Sequence, residues 1–266
     1  MTTSATMAGI LTAMALLAGI EAAIPLQARG GWNRRHLRPN LALTGITFGI
    51  NAVLNVAMAM ALAWQAEHGI GLLHAHAVSP LVATAAVVLM LDFATYLAHV
   101  SMHVVPVLWR FHRVHHSDPA VDVTTTIRQH PGEGLIRYLF LAGAACGVGA
   151  GPGAFALYRM WSVLNGLVEH ANIRVPPVLD ALASWVVTTP NMHKVHHSRR
   201  AEETNSNYGN IFSLFDRCLA TYTPSRRGLH VTYGLDELDA PTVQTTVGLL
   251  ALPFRRGAPA RVHDRR

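Results

Sequence analysis

Two heptapeptides, "HRVHHSD" at 112–118 and "HKVHHSR" at 193–199, repeat the pattern His-x-Val-His-His-Ser. Positions i, i+3 and i+4 of a helix share a face. His112, His115 and His116 therefore project to one side if their segment is helical, and so do His193, His196 and His197. Neutral imidazole is a ligand for iron, zinc, copper and nickel, so each triplet is half of a metal site. His99 and His103, one helical turn apart at the end of an apolar run, add a pair. These eight rings exceed the four that tetrahedral zinc accepts and suit two metals with four or five nitrogens each. Burying so many imidazoles without a metal would leave polar groups unsatisfied.

Other residues fall near this set. His170, in "NGLVEHANI" with Glu169 beside it, is expected to be a ninth ligand. Asp92 and Tyr96 share the helical face of His99 and His103. An aspartate within a membrane helix is costly and marks function by default. Asp92 is expected to accept an N–H from a metal-bound imidazole, the alternative being a bond to Asn51 or Asn55 of a neighbouring helix. His130, in "TTTIRQHPGE", is either a pocket or a structural residue. His36, His68, His74, His76, His230 and His263 lie in loops or the tail and carry no expected chemistry.

The elements that must hold these residues are membrane helices. Half of the chain is hydrophobic and only 14% is charged, against roughly 25% in soluble domains. Residues 5–26, 41–65 and 79–103 are each long and apolar enough to span a bilayer. The stretch 135–170 reads as two helical pieces broken near the glycines and proline at 149–153. No Lys or Arg precedes Arg29, so the basic region of a cleaved leader is missing and the first helix is expected to be retained. The loop "ARGGWNRRHLRPN" holds four arginines and "AEHGIGLLHAHAVS" none, which puts the first on the cytoplasmic side. Both heptapeptides then face the cytoplasm.

The resulting expectation is an all-α integral membrane protein with about four transmembrane helices and a cytoplasmic helical cap carrying a dimetal site. Its parts are an N-terminal helix pair at 1–75, a histidine-rich domain at 76–224 and a C-terminal tail at 225–266. The tail shows little periodicity, and its end, "GAPARVHDRR", is expected to be disordered or lipid-facing. The basic charge sits in loops and tail rather than in a patch, which argues against a nucleic-acid partner. Cys146 and Cys218 have neither metal nor redox spacing.

The series H99-VSM-H103, H112-RV-H115-H116 and H193-KV-H196-H197 resembles the three histidine boxes of the fatty acid hydroxylase / sterol desaturase superfamily. "DFATYLAHVSMHVVPVLWRFHRVHHS", "TTTIRQHP", "VEHANI", "TPNMHKVHHS" and "NYGNIFSLFDRCLATYTP" resemble further segments of that family, in order, over about 85–224. The resemblance implies a membrane-bound oxygenase with two iron ions that uses O2 as co-substrate to hydroxylate or desaturate an unactivated C–H of a bilayer lipid. It implies His99, His103, His112, His115, His116, His170, His193, His196 and His197 as metal ligands. Some relatives have another His four residues before His170. Here Gly166 stands there, so one metal has a ligand fewer or its open position is filled by water, Glu169 or Asn165.

Asp92, Tyr96 and Glu169 are candidate catalytic residues, and Arg128, His130 and Asn165 candidate pocket residues. Tyr96, Trp109, Phe111 and Trp161 are candidates to line the approach. An apolar C–H is attacked only by a strong oxidant formed from O2 at a redox metal. The chain has no GxGxxG, haem or iron–sulfur motif, so electrons must come from a separate reductase, ferredoxin or cytochrome. The rival readings are a zinc-dependent membrane hydrolase, against which HExxH is missing, and a haem or metal carrier.

Overall fold

A computed structural model describes residues 3–28, 33–76, 78–236 and 238–255. The segment "GAPARVHDRR" lies outside the described residues. The architecture is all-helical. Among the described residues no β-strand forms, only isolated bridges at Pro25–Ile173 and Val187–Phe212.

The long helices come first: α1 (Thr3–Ala23), α2 (Asn33–Glu67) and α3 (Pro80–Val104). All three are long and apolar enough to cross a membrane. They expose leucines, valines and methionines such as Leu16, Val53, Met60 and Leu81, as helices solvated by lipid do. A break at Val105 separates α3 from α4 (Pro106–His116), and a hairpin of α5 (Pro131–Val148) and α6 (Pro152–His170) follows. Two short helices complete the site: α7 (Pro177–Ala183) and α8 (Pro190–His196).

Every helix from α3 to α8 opens on proline: Pro80, Pro106, Pro131, Pro152, Pro177 and Pro190. Proline suits the first helical position, where its missing N–H has no partner to lose and its φ is already helical. Ser79, His130 and Thr189 cap α3, α5 and α8 by accepting backbone N–H groups. These caps fix where α5 and α8 begin, and hence where the residues of each first turn point.

At the far end of the bundle from the histidines, α5 ends on Gly149 with φ 74°, a left-handed cap natural to glycine. Its backbone rests on Gly71, where an added Cβ would lie 2.3 Å from the Gly149 Cα. The α2–α3 loop is thereby held against the α5–α6 turn. The main apolar core joins α2, α3, α5 and α6 through Leu62, Leu91, Leu141, Phe155 and Tyr158, and a second joins Ile10 and Met14 of α1 to Ile127 and Leu167.

The segment from 225 to 255, featureless in sequence, packs closely. Leu238, Val243, Leu249 and Leu252 form a core with Leu43 of α2 and Val114 of α4. The turn Ser225–His230 lies on α8 so tightly that a Cβ at Gly228 would sit 2.0 Å from the Asn191 carbonyl oxygen.

Candidate metal centre

The nine histidines converge at one end of the bundle, all buried. They form two groups: His99, His103, His112, His116 and His196, then His115, His170, His193 and His197, with the ligand atoms of each group within 4.8 Å of one another. Both HxxHH segments are helical, on α4 and α8, with His197 as the C-cap of α8. Consecutive residues of a box diverge. His115 and His116 enter different groups, and so do His196 and His197. Each HxxHH box therefore contributes to both groups, while His99 and His103 both enter the first.

The rings of the first group are held from behind. His99 Nδ1 lies 2.9 Å from the Tyr208 carbonyl, His196 Nδ1 2.8 Å from the Ser206 carbonyl and His112 Nδ1 2.9 Å from Glu133 Oε1. His103 Nδ1 is 3.2 Å from Asn205 Oδ1, and His116 Nδ1 is 3.4 Å from Thr204 Oγ1. Carbonyl and carboxylate oxygens only accept, and the Thr204 hydroxyl donates to the His196 carbonyl, so these Nδ1 atoms carry the proton and Nε2 keeps a bare lone pair. Nε2 of His112 lies 3.1 Å from that of His99 and 3.2 Å from that of His116, which is itself 3.2 Å from that of His103.

In the second group His170 Nδ1 donates to the Gly166 carbonyl at 2.7 Å. Its Nε2 faces those of His115, His193 and His197 at 3.1, 3.0 and 3.2 Å. The Nδ1 atoms of His115, His193 and His197 are buried without a partner. Burial disfavours the imidazolium form and pushes His112, His115, His116, His193 and His197 well below the usual histidine range and His196 to about 3. Neutral rings with lone pairs facing at such distances repel one another, and only a cation between them turns that repulsion into binding. The donor set thus fits two metal ions.

Glu169 is buried beside the second group, Oε1 lying 3.9 Å from His170 Nδ1 and 4.0 Å from His193 Nε2. A Cβ at Gly166 would meet Thr126 at 3.2 Å and Glu169 Oε1 at 3.9 Å, so a side chain there would head toward this carboxylate. Lys194, the lone lysine of the chain, is fully buried and donates to the carbonyls of Glu169 and His170 at the end of α6. Burial pulls its ammonium down to about 8 against the opposing pull of Glu21, Asp122 and Glu169.

A cavity of about 660 Å³ runs from the histidines into the helix bundle, bordered by His99, His115, His170, His193 and Glu169 at its inner end and by apolar residues of α1, α2, α5 and α6 beyond. Arg128, His130 and Asn165 do not border it. Arg128 is buried behind α4 and donates to the Val114 carbonyl, Asn40 Oδ1, Ser117 Oγ and Gln244 Oε1. Burial would raise the Asp118 carboxyl, but the Arg128 cation and hydrogen bonds from His36 and Asn40 hold it below the ordinary carboxylate range. His130 caps α5 and bonds the Leu250 carbonyl. Asn165 donates to the Asn210 carbonyl and lies 3.5 Å from Glu169.

Three other expectations change. Asp92 bonds no imidazole and neither Asn51 nor Asn55. It accepts the backbone N–H groups of Ile211 and Phe212 at 3.1 and 2.9 Å and faces Tyr158 and Asn210, because the loop after Tyr208 comes between it and the histidines. Tyr96 bonds Thr221. Trp109 packs on His103 and His116, Phe111 on His130 and Trp161 on Phe212, so none of these aromatics lines the cavity. His36 is buried at the start of α2, 3.0 Å from Asp118. Glu133 and the carbonyls of Ser206 and Tyr208 escaped sequence reasoning. The "NSNYG" segment and the acid following "HPG" were their only signals.

A model of the fatty acid hydroxylase family matches residues 84–221. Alkylglycerol monooxygenase of Xenopus tropicalis is 29% identical over 146 residues, which cover 54% of this chain and 31% of the relative. Ornithine lipid hydroxylase OlsE of Rhizobium tropici is 32% identical over 173 residues, covering 62% of this chain and 48% of the relative. Human alkylglycerol monooxygenase is 25% identical over 146 residues, again 54% of this chain and 31% of the relative. The chain thus spans between about a third and a half of the relatives it matches. No solved structure matches it.

Proposed function

The chain belongs to the fatty acid hydroxylase family, and from that membership we propose that it is an integral-membrane lipid hydroxylase with a di-iron centre, taking electrons from a separate cytoplasmic carrier. The observation that carries the proposal is the pair of histidine groups, five and four buried rings, at one end of a cavity that runs between the helices. Five imidazoles around one point exceed what tetrahedral zinc takes, which favours a redox metal of higher coordination over a zinc hydrolase. Hydroxylation is favoured over desaturation by the monooxygenase and hydroxylase names of the relatives.

His99, His103, His112, His116 and His196 would hold one iron, and His115, His170, His193 and His197 the other. Bound iron supplies O2 activation for attack on an unreactive C–H. The protein's own part is positioning. Glu133 fixes the tautomer and orientation of His112, as do the carbonyls of Tyr208 and Ser206 for His99 and His196. Glu169, buried beside the second group where Gly166 offers no side chain, would supply an additional oxygen ligand or accept a proton there. Asp92 and Asp216 hold the 208–212 loop that backs the first group, since Asp216 accepts the N–H groups of Tyr208 and Gly209. The apolar cavity admits a lipid sideways and keeps water from the reacting carbon.

Protein expressed with iron-57 and purified in mild detergent should hold about two coupled irons per chain by Mössbauer spectroscopy, and His196→Ala should lose them. Zinc alone, with no oxygen uptake after reconstitution with ferrous iron, would overturn the reading.

A further inference from the structure

The cavity contains a cation that no described residue balances. Arg159 of α6 borders it, and its Nε is buried without a partner. The Arg159 side chain makes no hydrogen bond or ion pair with any described residue. The cavity's other arginine, Arg137, is balanced by Glu133 Oε1 at 3.0 Å. A guanidinium cannot shed its proton, and an unpaired buried cation is costly enough to mark a site whose partner lies elsewhere. Two more polar atoms in the same cavity are buried without partners, Thr47 Oγ1 and Asn55 Oδ1. With Asn51 they form a stripe at i, i+4 and i+8 on α2, also bordering the cavity.

We infer that the cavity binds a lipid bearing an acidic group, carboxylate or phosphate, which pairs with Arg159, while Thr47, Asn51 and Asn55 bond the neutral polar atoms of the same head. The inference rests on the lipid-hydroxylase reading and narrows its substrate to acidic amphiphiles. Arg159 precedes His170 by about 16 Å along α6. The acidic group therefore docks at one end of the cavity and the carbon to be attacked lies toward the other, so the position of attack is counted from the acid. Arginine favours this pairing because its planar fork meets carboxylate or phosphate with two parallel hydrogen bonds.

The test is equilibrium binding to the iron-loaded full chain in a neutral maltoside detergent, with three ligands of one acyl chain: oleate, oleoyl lysophosphatidate and neutral 1-oleoylglycerol. At least one acidic ligand should bind tenfold or more tighter than oleoylglycerol, and the tighter of the two identifies the acid. Arg159→Gln should remove the preference at unchanged iron content, and Arg159→Lys should retain most of it. Equal binding of acidic and neutral ligands by the wild type, or a preference that survives Arg159→Gln, would overturn the inference while leaving a lipid cavity in place. Failure of all three ligands to bind would remove the lipid reading as well.

Discussion

At the scale of single residues, the two histidine groups are unequally supported. All five Nδ1 atoms of the first have a partner, whereas three of the four in the second have none. Orienting partners are worth about 10–100-fold in metal affinity. Graded chelation should therefore release metal in two steps, the second group first, as followed by metal analysis against chelator concentration. Glu133→Gln should lower affinity at the first group about 10–100-fold, read as faster iron loss at unchanged helix content. The pH dependence follows from burial. The site histidines titrate below 6.5 when folded, His196 near 3. Below pH 6.5 the unfolded chain binds more protons than the folded one, so stability falls with pH. The melting temperature of metal-free protein should drop between pH 7 and 5, and a flat profile would contradict neutral buried rings. The ligands were legible in sequence because the i, i+3, i+4 spacing survives into α4 and α8. The role of Asp92 was not, because helical phase says which face a residue is on but not which loop intervenes.

Among elements, the short helices depend on what packs against them. α8 has seven residues, too few to persist alone, and with its C-cap presents three candidate ligands, His193, His196 and His197. The turn Ser225–His230 supports it from one side, Lys194 ties it to α6, and Thr189 caps it. Gly228→Ala drives a Cβ into the Asn191 carbonyl. It should cost about 3 kcal/mol, at the upper end for overpacking, and lower metal content while the long helices keep their circular-dichroism signal. Full metal retention by this variant would show that the 225–230 turn does not support the site. The proline starts of α4, α5 and α8 could be read in advance, since Pro at the first helical position is a local signal. The packing of 225–255 could not. It depends on scattered apolar residues meeting Leu43 and Val114, remote in sequence, and it lacks the periodicity that a free-standing helix would show.

Seen whole, the molecule is two halves with different solvents. The long helices face lipid and were readable from hydropathy alone. The far half has a centre of nine buried imidazoles, flanked by the aliphatic core of Leu238, Val243, Leu249 and Leu252 and with Arg128, Asp118, His36 and Asn40 interlocked behind it. The cavity joins the halves, and blocking it should separate binding from metal chemistry. Ala156→Trp, toward the end remote from the histidines, should leave iron content unchanged and reduce lipid hydroxylation at least tenfold, measured as product per bound iron. The facing nitrogen lone pairs have a further consequence for the life of the chain in a cell. Its apolar helices can insert and settle without metal, but the other half has mutual repulsion at its centre until a metal is bound. A metal-starved cell would accumulate anchored chains whose segments at 105–130 and 171–255 stay unclosed and open to proteases. Protein abundance would then track metal supply with no dedicated sensor.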